Sequence, residues 1–346
     1  MKKQLKGTDE NAEIPSRMKK KKPKKISKLS KFMLILLVLL IGIAGYLGVL
    51  FTKSKDALRL ATSDADPGLV IPADQSVKVK PVAVLLLGLD SRPELASLNT
   101  DVIMVAAMNP KTKKATIVTM PRDSKIELSG YKSKKVNAYY AAFRSNAMNE
   151  QKLSKEEAEK VAKLEMRKML SRYFDIDISY TAVINFNGFV DVVDALGGVE
   201  VDVDMDMKYI DNADKTNIDL KKGHHKLDGK DALGFVRYRK SNDGKNMSTD
   251  FDRNRRQGQV IGAVVGKMKS FDGITSMSGV IDALGKNMKM DMPESEAQNI
   301  ILTYFNMDRS NVEFVPLEGD WKSPYVYVTS NSLKKAQSAL KAQLSE

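Results

Sequence analysis

The stretch from Val82 to Leu89, VAVLLLGL, is apolar without a break. A strand with one wet face alternates polar and apolar residues, so an unbroken run implies a strand buried on both faces. A sheet covered on both sides meets that demand, and the rest of the chain supplies its covering. VIMVAAM and ATIVTM flank the turn-like NPKTKK, which predicts a hairpin beside the first strand.

Strands and helices then alternate. Ser154 to Phe174 predicts a helix with a capping box, since Glu157 follows Ser154 by three residues. ISYTAVI reads as a strand, NFNGFVDVVDALGG as a helix stopped by Gly197 and Gly198, and VEVDVDM as a strand. LDGKDALGF is a short helix running into a strand, VRYRK. Helices are expected over Asp252 to Ser270, Gly273 to Asn287, Pro293 to Phe305 and Asn331 to Leu344, with strands at NVEFVPL and PYVYVTS. The order predicts a three-layer α/β/α domain, a central mixed sheet flanked by helices, over residues 79–346.

The net charge of +13 resembles that of a nucleic-acid binder until its distribution is read. Residues 1–31 hold twelve Lys and Arg against Asp9, Glu10 and Glu13, so most of the excess belongs to a polar tail. Phe32 to Phe51 follows, twenty residues without a charge, enough for a helix to span a hydrocarbon core of roughly 30 Å. The basic side of such a helix stays in the cytoplasm. The expected plan is a cytoplasmic tail (1–31), a transmembrane helix (32–51), a stalk (52–78) and an extracellular domain, with the membrane and no nucleic acid as partner. The chain has no Cys, which excludes disulfides and thiolate metal sites.

Asp90 follows the first apolar run, Asp101 precedes the second and Arg122 follows the third. Two carboxylates near several arginines suit Mg²⁺, which takes few protein oxygens and fills its shell with phosphate and water; turn and strand capping would also account for them. Alternation along VRYRK puts Arg237 and Arg239 on one face, as two forks for a phosphate or pyrophosphate or as surface arginines on an edge strand. In the helix that follows, Arg253, Arg256, Gln257, Val260 and Val264 share one face, with Asp250 a turn earlier. Charges on an inward stripe need partners, whether protein carboxylates or a bound anion. Asp202, Asp204 and Asp206 read as a solvated strand face, and His224 and His225 as loop residues. There is no G-x-S-x-G elbow and no Walker loop.

Eight blocks occur in order: GLDSR (from Gly88), NTDVIMV (Asn99), MPRDS (Met120), KVNAYY (Lys135), VDALGGVEV (Val193), LDGKDAL (Leu227), VRYR (Val236) and DFDRNRRQ (Asp250). Together they resemble the LytR-CpsA-Psr family and span about half the chain. The resemblance implies a cell-envelope transferase that moves a glycopolymer, such as wall teichoic acid or capsule, from undecaprenyl pyrophosphate to peptidoglycan. It implies Mg²⁺ at Asp90 and Asp101, and pyrophosphate held by Arg122, Arg237, Arg239 and Arg253 with Asp250 and Gln257 in support. Asp101 is assigned the added role of proton acceptor. A lipid-diphosphate pyrophosphatase, or an anchored envelope regulator or polysaccharide-binding protein without turnover, fits the same residues. Two features depart from the family pattern: AYYAAFRSN after Asn137 replaces a glycine pair, and the connection KSNDGKNMST is long.

Overall fold

The computed structural model describes residues 52–90, 98–212, 216–268, 270–304, 307 and 309–345. The basic tail and the apolar run 32–51 expected to span the membrane lie outside the described residues. Among the described residues, no helix is long and apolar enough to cross a membrane.

A helix, α1 (residues 52–61), precedes β1 (Val82–Asp90), β2 (Asn99–Asn109) and β3 (Lys114–Thr119). Two short strands, β4 (Lys125–Ile126) and β5 (Lys134–Lys135), lead into α2 (Tyr139–Asn149), α3 (Lys155–Phe174), β6 (Tyr180–Asn185) and α4 (Phe186–Ala195). Next come β7 (Val199–Val203), β8 (Met207–Asp211), β9 (Thr216–Leu220), β10 (Gly223–Leu227), α5 (Gly229–Arg237), α6 (Asp250–Met268) and α7 (Phe271–Asn287). The chain closes with β11 (Met288–Met290), α8 (Glu294–Tyr304), β12 (Val312–Pro316), β13 (Gly319–Lys322), β14 (Tyr325–Val328) and α9 (Ser330–Ser345).

The central sheet runs β11-β6-β1-β2-β3-β12. It is mixed: β1 is parallel to β6 and antiparallel to β2, β2 and β3 form the expected hairpin, and β12 is parallel to β3. Helices flank it on both faces, as the unbroken run in β1 required. Ala83, Leu85, Leu87 and Leu89 join the core built with α3 and α9, whereas Val82, Val84 and Leu86 pack with residues of α1, α8 and α6. The capping box of α3 forms, with Ser154 N donating to Glu157 Oε2 at 3.0 Å and Glu157 N to Ser154 Oγ at 3.3 Å.

Residues 52–78, expected as a stalk, pack on the domain. Lys53 Nζ lies 2.6 Å from Asp282, the buried Lys163 pairs with Asp64, and buried Glu296 accepts from Ser76 Oγ at 2.9 Å and Val77 N at 2.8 Å.

Three local readings change. VRYRK is not a strand: α5, capped by Asp228, continues through Arg237 because Ala232, Phe235 and Val236 bury its inner face, and the chain turns extended only at Tyr238. Asp204 is partly buried and paired: it lies beyond β7 and receives Arg256 Nε at 2.7 Å and Nη2 at 2.9 Å. His224 belongs to β10, where the register sets it opposite Asp202, 2.8 Å from its Nδ1.

Candidate functional site

The charged residues gather at one end of the β1–β2 pair, and an irregularity in the ladder aims one of them. Gly88 pairs with Val102 and Leu89 with Thr100, so Asp101 is the residue the register skips, a β-bulge. Further along β2, Ile103, Val105 and Ala107 face one core and Met104 and Ala106 the other. Strict alternation would send Asp101 with the first set. The bulge instead lets Asp101 and Val102 line the same cavity.

Arg237, at the end of α5, bridges the two acids. Its Nη2 lies 3.3 Å from Asp90 Oδ2 and its Nε 3.8 Å from Asp101 Oδ2, while its guanidinium stacks 4.7 Å from the Phe186 ring centroid. Arg122 donates to the other oxygen of Asp101 through Nη1. Its Nε is buried and makes no hydrogen bond, although Asp123 Oδ1 stands 3.8 Å away. Asp123, 2% exposed, also faces Lys135 Nζ at 3.1 Å and Arg239 Nη2 at 3.8 Å. Arg253 is buried on α6; desolvation, then repulsion from Arg239 and Arg122, pushes it down to about 9. Burial raises Asp101 above the ordinary carboxylate value, against the attraction of Arg122 and Arg237.

Two cavities meet at this cluster. One, about 300 Å³, is mainly apolar, with Leu86, Met104, Ile184, Phe189, Val260 and Ile261 in its walls and Asp101, Arg122, Arg237, Arg239, Arg253, Asn254 and Gln257 as its polar part. The other, about 560 Å³, is more polar than the first and shares Asp101, Arg122, Arg237 and Arg239 with it, adding Asp90, Asn99 and Tyr209. A third cavity of about 380 Å³, almost wholly apolar, shares Leu86, Ala182 and Met288 with the first and reaches α1 and α8. The arrangement offers an apolar cavity, a band of guanidinium groups at its edge and a more polar cavity beyond.

Of the residues singled out from the sequence, Asp90, Asp101, Arg122, Arg237, Arg239, Arg253 and Gln257 line these two joined cavities. Asp250 opens α6. Arg256, expected on the inward stripe, is buried there at 1% exposure, and its partner is a protein carboxylate: it is tied to Asp204, Ser248 Oγ (2.9 Å) and the Tyr238 carbonyl (3.4 Å) and does not line the two joined cavities. Sequence reasoning missed Asp123, Lys135, Phe186 and Asn254. Asp123, Lys135 and Asn254 lie in three of the motif blocks, a signal that went unused; Phe186 carried none, because only the packing of α4 brings it in. Asn254 is 6% exposed, and its Nδ2 has no hydrogen-bond partner.

The sequence profile of the LytR_cpsA_psr family matches residues 51–343. The chain is similar to the polyisoprenyl-teichoic acid–peptidoglycan teichoic acid transferase TagU of Bacillus mycoides (strain KBAB4), 33% identical over 273 residues, 77% of this chain and 80% of the relative. Among solved structures it resembles TagT bound to LI-WTA, with 27% identity, a TM-score of 0.57 and coverage of 80% of this chain and 100% of that one. B. subtilis TagV, at 24% identity and a TM-score of 0.59 over 77% of this chain and 98% of its own, shares the fold.

Proposed function

The chain belongs to the LytR-CpsA-Psr family, and on that premise we propose a membrane-anchored, extracytoplasmic transferase. It moves a glycopolymer, such as wall teichoic acid or capsule, from undecaprenyl pyrophosphate to peptidoglycan and leaves a phosphodiester. The observation that carries this reading is the band of Arg122, Arg237, Arg239 and Arg253 in an apolar channel, where it meets a more polar cleft that shares the first three. A lipid diphosphate has that layout: a hydrocarbon tail, a compact double anion and a polar chain. The transferase names of relatives at this identity support it, and the apolar run 32–51 supports the anchor.

The tail enters the channel past Leu86 and Met288 and the diphosphate sits on the guanidinium forks, which bind phosphate oxygens in pairs. Arg122 Nε, buried without a hydrogen bond, gains a partner there, and anion charge relieves the crowding of Arg253 by Arg122 and Arg239. Gln257 offers an amide; Asp250 opens α6, with its side chain outside the described residues. The acceptor hydroxyl oxygen attacks the distal phosphorus, the bond to the bridging oxygen breaks, and lipid phosphate leaves. Asp101, raised by burial, takes the hydroxyl proton. The arginines oppose the charge that builds on the leaving phosphate.

Asp90 and Asp101 fit Mg²⁺ as a donor set: two carboxylates drawn to one guanidinium suit a hard cation that completes its shell with phosphate and water. When bound, the ion supplies charge neutralisation at the diphosphate.

The test gives the full chain in detergent a lipid-diphosphate disaccharide, Mg²⁺ and peptidoglycan oligomers. Lipid phosphate and a disaccharide–peptidoglycan conjugate are expected with the wild type and are lost in Arg237→Ala. Turnover that survives Arg237→Ala would overturn the assignment of the arginine band.

A further inference from the structure

The chain has one tryptophan, and it is 52% exposed at Trp321 on the β13–β14 hairpin. That ring stands among aromatic and cationic neighbours that none of the cavities at the arginine band includes. Lys135 Nζ lies 5.9 Å from the Trp321 ring centroid. Lys125 Nζ lies 5.7 Å from the Tyr325 ring and 5.1 Å from the Tyr327 ring, and Lys322 Nζ 5.8 Å from the latter. The hairpin is pinned beside the site. Val326, 1% exposed, donates from its N to the Asp123 carbonyl at 2.9 Å and bridges Ser124. Lys135 joins the two regions, reaching from the Trp321 ring to Asp123 Oδ1 at 3.1 Å, and Asp123 in turn faces Arg122 and Arg239.

We infer that this aromatic and lysine surface is the docking subsite for the acceptor glycan strand, an inference that rests on the transferase reading above. An indole half open to water is an apolar plate with no protein to bury it, and the C–H face of a pyranose ring is a complementary apolar plate. The ammonium groups near the rings donate to acetamido carbonyls and to carboxylates on the strand. The charge balance selects the acceptor over the donor polymer. Lys125 is paired with Glu127 and Lys135 with Asp123, so two of the three lysines already face carboxylates and the rings make up much of the patch. That suits a mostly neutral amino-sugar chain with scattered carboxylates better than a polymer with a phosphate in every repeat. Continuity through Lys135, Asp123 and Arg239 sets a bound strand beside the diphosphate band, from a side that the apolar channel does not occupy.

The single tryptophan makes the test direct. In the full chain in detergent, titration with a β-linked N-acetylglucosamine tetramer should shift the Trp321 emission to the blue and saturate. In the transfer assay, Trp321→Ala should raise the KM for peptidoglycan oligomers about five- to tenfold, the range expected for one ring-stacking contact. The KM for the lipid-linked donor should stay unchanged, and Trp321→Phe should restore most of the loss. Unchanged emission at saturating tetramer, an unchanged acceptor KM in Trp321→Ala, or a rise confined to the donor KM would overturn the inference. If the wild type transfers nothing, the transferase reading fails, and the fluorescence titration decides the glycan subsite alone.

Discussion

Gly88 faces Val102 across the β1–β2 ladder so closely that a Cβ on the glycine would come within 2.8 Å of the valine Cβ. The next residue on β2 toward its start is Asp101, the one the register skips. The close approach and the bulge are therefore neighbours, and the glycine permits the local geometry that turns Asp101 into the cavity.

Gly88→Ala must push the strands apart where Asp101 is aimed. Overpacking of this kind costs about 1–3 kcal/mol. Thermal unfolding should show the loss, and lipid-phosphate release should fall further than the stability change explains, because Asp101 loses its aim. A variant with wild-type stability and turnover would mean that the bulge does not depend on the glycine.

Asp123 holds three cations, Lys135, Arg122 and Arg239, within 3.1 to 3.8 Å. Asp123→Asn keeps the shape and removes the charge that faces two arginines of the band, Arg122 and Arg239. Small misplacement of such groups costs on the order of a hundredfold in rate. Steady-state turnover of the lipid-linked donor should fall by about that factor, and an unchanged rate would remove Asp123 from the site.

Asp204 offers a pH test away from the chemistry. Burial pulls its pKa upward, but the hydrogen bonds and charge of Arg256 win and hold it below the ordinary 3.8. A depressed carboxylate contributes stability above its unfolded pKa and loses it as pH falls through the folded value. Asp204→Asn should cost about 3 kcal/mol at neutral pH, since it strands a buried guanidinium. The gap from wild type should close as pH drops below 3.8. Urea unfolding across that range measures it, and a gap that is constant with pH would contradict the pairing as its source.

Much of the sheet was legible in the sequence because buried strands must be apolar. VAVLLLGL and the hairpin strands β2 and β3 carry that signature, and Ser154 with Glu157 marked the start of α3 chemically. The convergence of the site was less legible. Asp101 reaches the cavity through a one-residue register slip, which no periodicity records. Arg253 and Arg256 have equivalent helical spacing, yet Arg256 is consumed by Asp204, a carboxylate some fifty residues away in sequence. The β8–β9 hairpin, with few buried residues among MKYID and TNIDL, lacks the apolar signal that marks a core strand. VRYRK alternates like a strand, but the apolar face of α5 carried the helix into it.

The proposed topology has its own check. A reporter that is active only outside the cytoplasm, fused after Glu346, should be active in cells, because the basic tail before the apolar run fixes the N-terminus inside. Activity of a cytoplasm-dependent reporter at the same position would refute the placement.

In the proposed reaction the distal phosphate of a lipid diphosphate passes, with its glycan, to a sugar hydroxyl. The most direct measurement labels that phosphate and follows it by phosphorus NMR in a reaction of the full chain, Mg²⁺ and peptidoglycan oligomers. The account predicts the label in a phosphodiester joining glycan to peptidoglycan, with lipid phosphate released in equal amount and both lost in Arg122→Ala. Label recovered as a glycan phosphomonoester, with water as the acceptor, or label that stays in the lipid diphosphate would contradict it.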